Sequence, residues 1–226
     1  LILGGENLET GVARDMVENI LPGSLIYNEY GPTEATVGCM IHRFNPETDN
    51  RSSVPIGIPA ANARIYLLDN HKQPVPVGVT GELHIAGPNL AGGYLNRVEL
   101  TAENYVALDS HLFSCHGLHG EARISTDKDF RLKDESRAHA VTGSLIYPSG
   151  DLARWLDNRT IEYIGRSDSQ VKIRGYRVEV GEVEAFLRSI DGVKEAVAVA
   201  RETGNGYYAL YGYVVPVSDS QETLTV

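Results

Sequence analysis

The stretch 27–34 of the 226-residue chain brings together side chains of four different chemistries. Asn28 carries an amide that can read the edge of a base, and Tyr30 offers a flat ring for stacking. Thr33 offers a hydroxyl to a phosphate oxygen, and Glu34 offers the hard oxygen ligand that Mg²⁺ accepts beside substrate phosphates. A strand-to-loop turn in which Thr33 caps a helix explains the same residues. The stretch is therefore a candidate nucleotide and metal site, with a structural alternative.

Two further candidates lie far along the chain. Asp151 follows a glycine, and Arg166 stands at the end of a strand-like run. A carboxylate can accept two hydroxyl groups at once, and a guanidinium can pair with phosphate. Both residues also have ordinary interpretations, because Asp151 could cap a turn and Arg166 could be a surface arginine.

The elements that must position these residues alternate between strands and helices. Residues 1–3 are typical of a buried strand that ends in a turn, and apolar spacing predicts a helix from about residue 10 to residue 21. The run 25–27 predicts a strand that leads into the candidate stretch. The later pattern predicts a helix over 181–190 and strands over 64–69, 81–87, 161–166, 170–179, 193–200 and 207–217.

This pattern predicts a mixed α/β class and two parts that meet near Asp168. The segment 111–143 is polar and without a clear period, which indicates a loop insertion in the first part. The second part, 168–226, begins a small α/β domain that ends without a closing element. Because the chain opens on Leu1 rather than on a methionine, we expect a piece of a longer protein.

Composition narrows the class of function. The chain is 42% hydrophobic and 22% charged, with 30 acidic and 20 basic residues and a net charge of −10. This balance disfavours a nucleic-acid backbone or an anionic membrane surface as partner. No apolar run approaches the roughly 20 residues of a membrane span. The two cysteines, Cys39 and Cys115, suit a reducing compartment, so a cytoplasmic location is expected.

Several blocks, in order, resemble the motifs of adenylate-forming enzymes in the form used by adenylation domains of nonribosomal peptide synthetases. These blocks are residues 4–6, 28–34, 55–59, 81–87, 90–97, 149–155 and 165–175. The resemblance fails in the insertion and in the tail. It departs mildly at Gly92, where the family usually has arginine, and at Ser149, where it usually has threonine.

The resemblance implies an adenylate-forming fold in partial form. The first part, 1–167, would be the end of a large α/β core with a β-rich subdomain, and 168–226 a small α/β lid, with Asp168 as the hinge. The implied activity uses ATP and Mg²⁺ to convert an amino acid into an aminoacyl adenylate. The adenylate is then transferred to the phosphopantetheine thiol of a peptidyl carrier domain. Neighbouring synthetase domains and an MbtH-like helper are further implied partners.

The same resemblance assigns roles by motif position. The catalytic set would be Thr33, Glu34, Asp151 and Arg166, with Glu34 on the metal. The nucleotide and carrier-arm contacts would add Gly5, Asn28, Tyr30, Gly31, Tyr163 and Lys172. The amino-acid pocket would be lined by Ile2, Gly4, Glu29, Val37 and Gly38.

The implied pocket suggests a substrate. Gly4 and Gly38 leave room, so the pocket should be large, and a buried Glu29 carboxylate needs a partner. A cationic side chain such as arginine, or a phenol as in tyrosine, would supply one. Pairing of Glu29 with a neighbouring protein group is the alternative.

Three of the family's functional parts are missing between Leu1 and Val226. They are the phosphate loop with its lysine, the aspartate for the substrate's α-amino group, and the late catalytic lysine. The chain alone is therefore not expected to complete catalysis. Two other interpretations stay open: an acyl- or aryl-CoA ligase of the same superfamily, and a non-catalytic docking module for a carrier or helper protein.

Overall fold

The computed structural model describes residues 1–107, 145–168, 170–173, 176–203 and 208–217. The chain divides into two compact units, Leu1–Ser167 and Asp168–Val226. This division falls beside the residue that the sequence analysis assigns as a hinge, and the hinge motion itself stays a prediction. The insertion predicted at 111–143 lies outside the described residues.

Short helical segments connect the strands of the first unit. The α-helices are α1 (Thr10–Asp15) and α2 (Val98–Asn104). A π-helical segment at Met16–Ile20 follows α1 directly, so the predicted helix over 10–21 is confirmed in its position but changes its hydrogen-bond pattern. A 3₁₀ turn occupies Thr33–Ala35.

The candidate stretch belongs to the first of two sheets. The strands of this sheet are β1 (Ile2–Gly4), β2 (Tyr27–Tyr30), β3 (Met40–Arg43) and β4 (Ile58–Pro59), in that order. β1 and β2 are parallel, whereas β2–β3 and β3–β4 are antiparallel. The predicted strand over 1–3 exists, but its predicted burial is wrong: Ile2 is 62% exposed. Of the β1 residues, only Leu3, on the opposite face of the strand, packs against a core cluster in the described part of the chain.

The second sheet is antiparallel and carries the other candidates. Among the described residues its strands are β5 (Arg64–Leu68), β6 (Gly81–Ala86), β7 (Val106–Ala107), β8 (Leu145–Trp155) and β9 (Ile161–Arg166). The order is β5-β6-β8-β7, with β9 also paired to β8. The strands predicted at 64–69, 81–87 and 161–166 are confirmed. β8 and β9 bring the two distant candidates, Asp151 and Arg166, into register.

One hydrophobic core joins the two sheets of the first unit. Its buried members include Met40 from the first sheet and Leu83, Tyr147 and Ile161 from the second. The Ile56 amide donates to the Ile161 carbonyl at 2.9 Å, which links the sheets through the backbone as well. The two sheets therefore pack together and carry the candidate residues of the first unit.

In the part of the second unit that the structure describes, two antiparallel strand pairs accompany one helix. Its elements are β10 (Gln170–Ile173), β11 (Tyr176–Glu179), α3 (Val180–Arg188), β12 (Val193–Glu202) and β13 (Tyr208–Pro216). The single strand predicted over 170–179 is wrong, because β10 and β11 pair antiparallel. Alternation of side chains looks the same on both halves of a hairpin, so it does not reveal the reversal. None of the helices in the described ranges has the length and apolar character needed to cross a membrane.

Candidate functional site

Strand β2 sends its side chains in two directions. Tyr27 and Glu29 lie on its partly exposed face, and Asn28 and Tyr30 lie on its buried face, as the period of a strand requires. One short strand therefore supplies two different groups of candidates. Glu29 belongs to a surface cavity, and Tyr30 belongs to a buried polar cluster.

The cavity has a volume of about 280 Å³. This is close to the lower end of the range of small-molecule pockets. The parallel pairing of β1 with β2 places Gly4 opposite Glu29. The lining residues are Ile2, Gly4, Gly5, Glu29, Gly31 and Val37. Four of the five residues predicted for a substrate pocket are thus brought together.

The fifth predicted residue, Gly38, lies against the Glu29 carboxylate. A Cβ atom on Gly38 would overlap Glu29 Oε1, and one on Gly4 would lie 2.5 Å from the Glu29 carbonyl oxygen. Both glycines are therefore needed for Glu29 to keep its position. No ion pair of Glu29 occurs among the residues that the structure describes.

A strained turn closes the cavity after β2. The Pro32 carbonyl accepts the amides of Ala35 and Val37 at 3.0 and 3.3 Å. Thr36 and Val37 have φ angles of 57° and 71°, a region that β-branched residues rarely adopt. Such strain persists where the surroundings enforce it, and it is common at ligand sites.

Tyr30, Asp151 and Arg166 form a buried cluster. Arg166 Nη1 donates to Asp151 Oδ1 at 2.9 Å, and the Tyr30 hydroxyl donates to Asp151 Oδ2. Burial and the nearby Asp151 charge hold the pKa of Tyr30 well above its usual range, so its hydroxyl stays a donor. A carboxylate has about four acceptor positions. The Tyr30 hydroxyl and the Arg166 guanidinium occupy at least two of them on Asp151.

Hydrogen bonds to backbone groups restrain the chain around Asp151. Ser149 Oγ donates to the Leu83 carbonyl at 2.7 Å and accepts the Asp151 amide at 3.1 Å. The amide and the hydroxyl of Ser167 both donate to the Gly150 carbonyl, at 2.9 and 3.0 Å. The serine that replaces the usual threonine at 149 thus keeps the hydroxyl function.

The structure places Asn28 differently from what the sequence suggested. Its amide nitrogen donates to the carbonyls of Val54 and Pro55 at 3.1 and 3.0 Å, in the interior. The Tyr30 ring packs in the core and is only 8% exposed. Neither an amide edge nor an open ring face is presented in this conformation, because alternation along β2 turns both side chains inward. Their adenine contacts stay predictions.

Glu34 lies in the 3₁₀ turn and is buried. Its Oε1 accepts the Tyr94 hydroxyl at 2.7 Å. The Tyr94 and Tyr105 rings meet edge to face at 6.0 Å, and Tyr105 and Tyr147 lie 5.5 Å apart. Burial, followed by the Glu34 hydrogen bond, raises the pKa of Tyr94, and burial raises the pKa of Tyr105 to about 12. The sequence analysis missed these tyrosines; the only available signal was Tyr94's place within the block 90–97.

The carboxylate of Glu34 fits one mode of magnesium binding. No group of three or more metal-ligating side chains exists within the described ranges. An all-protein cage is therefore absent there. Mg²⁺ is usually held by one or two carboxylates together with substrate phosphates, and a single buried glutamate suits that mode.

The remaining predicted residues are spread over both units. Thr33 is exposed on the same turn as Glu34, and Tyr163 is partly buried against the core. Lys172 lies exposed on β10 in the second unit. Asp168 Oδ1 accepts the Gln170 amide at 3.0 Å. The structure brings most predicted residues into the first unit, and Lys172 and Asp168 into the second.

Sequence comparison links this arrangement to known proteins. Residues 1–95 match the family of AMP-binding enzymes. Tyrocidine synthase 3 of Brevibacillus parabrevis is 43% identical over 225 residues, which is 100% of this chain and 3% of the relative. Bacitracin synthase 3 of Bacillus licheniformis is 40% identical over 219 residues, which is 97% of this chain and 3% of the relative.

Structural comparison agrees. The solved structure of holo-PA1221, described as an NRPS protein containing adenylation and PCP domains and bound to a vinylsulfonamide inhibitor, matches with a TM-score of 0.74 and 27% identity. The match covers 97% of this chain and 33% of that chain. The predicted adenylate-forming fold in partial form is confirmed. Residues 1–95 therefore match the AMP-binding enzymes, and the comparisons over nearly the whole chain support the C-terminal part of an adenylation domain of the nonribosomal peptide synthetase type.

Proposed function

We propose that this chain contributes to the ATP-dependent activation of an amino acid and to its transfer onto a carrier-domain thiol. The chain spans 3% of the length of each of the two relatives named above. The activity of the whole protein is therefore a proposal that sequence identity alone does not establish. The supporting observation is that strand β2 carries candidate residues on both of its faces. Glu29 faces a cavity of amino-acid size on one side, and Tyr30 holds Asp151 on the other.

The reaction proposed is an in-line displacement at phosphorus. A carboxylate oxygen of the amino acid attacks the α-phosphorus of ATP, the bond to the bridging oxygen breaks, and pyrophosphate leaves with the electron pair. The protein's task is to orient the two reactants and to stabilise charge. Asp151 would accept the ribose hydroxyls, with its orientation set by Tyr30 and Arg166.

Glu34 and Thr33 would act on the phosphate side of the same site. Magnesium, when bound, neutralises phosphate charge. Glu34 would hold the ion through its carboxylate, and the exposed Thr33 hydroxyl would contact a phosphate oxygen. In the second half-reaction the carrier thiolate attacks the acyl carbon, and AMP leaves with the electrons of the broken bond.

The cavity favours a long side chain with a donor group. The Glu29 carboxylate contributes to a cavity of about 280 Å³ and has no ion-pair partner within the described parts of the chain. Glu29 is only partly buried, and a cation or a hydrogen-bond donor on the substrate would compensate its carboxylate once the ligand covers it. Arginine would supply the cation, and tyrosine would supply a phenolic donor.

The partners proposed are a peptidyl carrier domain and neighbouring synthetase domains. The supporting observation is that two solved structures similar to this chain are described as containing adenylation and PCP domains. An MbtH-like helper and a cytoplasmic location stay predictions from the sequence.

The test is direct detection of the intermediate in the full-length protein. Incubation with ATP, Mg²⁺ and single amino acids should yield arginyl or tyrosyl adenylate by mass spectrometry, followed by the matching carrier thioester. Adenylates formed only from fatty or aryl acids would instead indicate a CoA ligase. Absence of any adenylate would indicate a docking module.

A further inference from the structure

The hydrogen bond between Tyr94 and Glu34 joins two segments that are 60 residues apart. The bond measures 2.7 Å and has a charged acceptor, which makes it stronger than a bond between neutral groups. Glu34 is 5% exposed and sits in a single 3₁₀ turn, whose backbone alone does not fix a side-chain rotamer. Tyr94 therefore supplies an external restraint on the carboxylate.

Tyr94 is itself held firmly. Its amide donates to Thr101 Oγ1 at 2.9 Å, and that hydroxyl donates to the Arg97 carbonyl at 2.8 Å. Gly93 adopts a φ of 117°, and a Cβ atom there would overlap Thr101 Cγ2. The segment before α2 is thus folded tightly onto the first turn of that helix, which restrains the backbone at Tyr94, and the Tyr94 ring packs edge to face on Tyr105.

The same segment also docks on the turn that carries Glu34. The Ala91 amide donates to the Glu34 carbonyl at 2.8 Å, and Thr36 Oγ1 donates to the Asn89 carbonyl at 2.5 Å. Backbone and side chain of Glu34 are therefore restrained by one neighbouring segment, residues 89–94.

A neighbouring tyrosine, Tyr105, provides a contrast to Tyr94. The Tyr105 hydroxyl is buried and has no hydrogen-bond partner within the described structure, although its ring contacts the Tyr94 ring. The two tyrosines thus share packing but differ in hydroxyl function. Tyr105 is a natural control for Tyr94.

We propose that Tyr94 is a positioning residue that orients the Glu34 carboxylate for a divalent cation bound with ATP. The proposal rests on the proposed function, because it needs Glu34 to be the metal ligand. The proposal adds to the proposed function a positioning role for Tyr94, which lies in the block 90–97. The role belongs to the hydroxyl group, since the ring would pack equally well as phenylalanine.

The test compares Tyr94→Phe with Tyr105→Phe in the full-length protein. Mn²⁺ affinity in the presence of ATP is measured by electron paramagnetic resonance, and the Mg²⁺ dependence of adenylate formation is measured alongside. We expect Tyr94→Phe to weaken Mn²⁺ binding by about 10- to 100-fold, the usual effect of removing a group that orients a metal ligand. Tyr105→Phe should leave Mn²⁺ affinity unchanged.

A second variant covers the case in which Tyr94→Phe does not fold. Thr101→Val keeps the shape of the side chain and removes the hydroxyl that accepts the Tyr94 amide and donates to the Arg97 carbonyl. Because the Tyr94 hydroxyl itself is retained, a smaller loss of Mn²⁺ affinity is expected. Unchanged affinity in both Tyr94→Phe and Thr101→Val, or equal losses in Tyr94→Phe and Tyr105→Phe, would overturn the proposal. A wild-type protein that binds no Mn²⁺ with ATP and forms no adenylate would overturn the proposed function as well.

Discussion

Two carboxylates on neighbouring strands each pair with an arginine, and comparing them can distinguish the role of Asp151 in the site from its role in stability. Asp151 pairs with Arg166 at 2.9 Å, and Glu162 pairs with Arg154 at 2.7 Å, in each case between β8 and β9. Both carboxylates are buried. Only Asp151 also binds Tyr30 and belongs to the proposed nucleotide site.

Asp151→Asn should therefore affect chemistry and stability together, whereas Glu162→Gln should affect stability alone. Breaking a buried pair typically costs about 3–5 kcal/mol, and an amide that keeps some hydrogen bonds should cost less. We expect Asp151→Asn to lower adenylate formation by about 100-fold, because a contact that holds ATP in the reacting position is lost. Denaturant unfolding and adenylate assays on both variants measure this. Equal loss of activity in the two variants would contradict the assignment of Asp151.

Substitutions at two glycines near the cavity should distinguish an effect on substrate specificity from an effect on folding. A Cβ atom on Gly38 would meet the end of the flexible Glu29 side chain, whereas one on Gly31 would overlap the backbone carbonyl of Val37. Gly38→Ala should change the free energy of unfolding by less than about 1 kcal/mol, and Gly31→Ala should lower it by about 1–3 kcal/mol. Gly38→Ala should still reduce kcat/KM for the preferred amino acid, because the carboxylate is displaced.

Urea unfolding and a substrate panel on the two variants check this prediction. A Gly38→Ala protein with unchanged kcat/KM for every amino acid would show that Glu29 is not a specificity residue.

At the scale of elements, β6 carries a buried histidine whose protonation opposes folding. Burial lowers the pKa of His84; the hydrogen bond to the Glu82 backbone and the Glu82 charge oppose this, and the Lys72 ammonium at 3.3 Å makes a smaller lowering contribution. The folded-state pKa is thus below the unfolded value of about 6.5, so the unfolded state binds more protons. Stability should fall as pH drops below about 6.5, by at most about 1.4 kcal/mol per pH unit from this group.

The measurement is the free energy of unfolding in urea between pH 7.5 and 5.5, a range set around the ordinary histidine pKa of about 6.5. His84→Gln should flatten the slope, and His71→Gln, at an exposed turn position, should not. The same slope in the His84 variant and in the wild type would refute the prediction.

The strands of the second sheet were predictable because apolar residues alternate along them, as in β5 and β6. The reversal between β10 and β11 was not, because alternation does not record strand direction. The motif 28–34 supplied the residue types of the site, but the inward orientation of Asn28 and Tyr30 depends on the pairing of β2. Tyr94 and Tyr105 escaped notice because their partners lie far away in sequence.

At the scale of the whole molecule, the boundary between Ser167 and Asp168 is the predicted place of a rotation between half-reactions. The Asp168 carboxylate accepts the Gln170 amide and forms a local turn. This turn does not depend on hydrogen bonds between strands. Asp168→Pro would fix φ and restrict the preceding residue. We expect thioester formation to fall by about tenfold or more while adenylate formation changes little, because only the second step needs the rotation.

Separate assays of the two half-reactions in the full-length protein test this expectation. Asp168→Asn serves as the control because it keeps the side-chain acceptor and the backbone freedom. Equal losses of adenylate and thioester in Asp168→Pro would argue against a hinge.

The central claim is that the site activates an amino acid whose side chain meets Glu29. Amino-acid-dependent exchange of pyrophosphate into ATP, measured across all amino acids with the full-length wild-type protein and its Glu29→Gln variant, addresses it most directly. We predict strong exchange with arginine or tyrosine in the wild type, and a loss of about 10- to 100-fold for that amino acid in the variant. Exchange that prefers a small aliphatic amino acid, or that is unaffected by Glu29→Gln, would contradict the account.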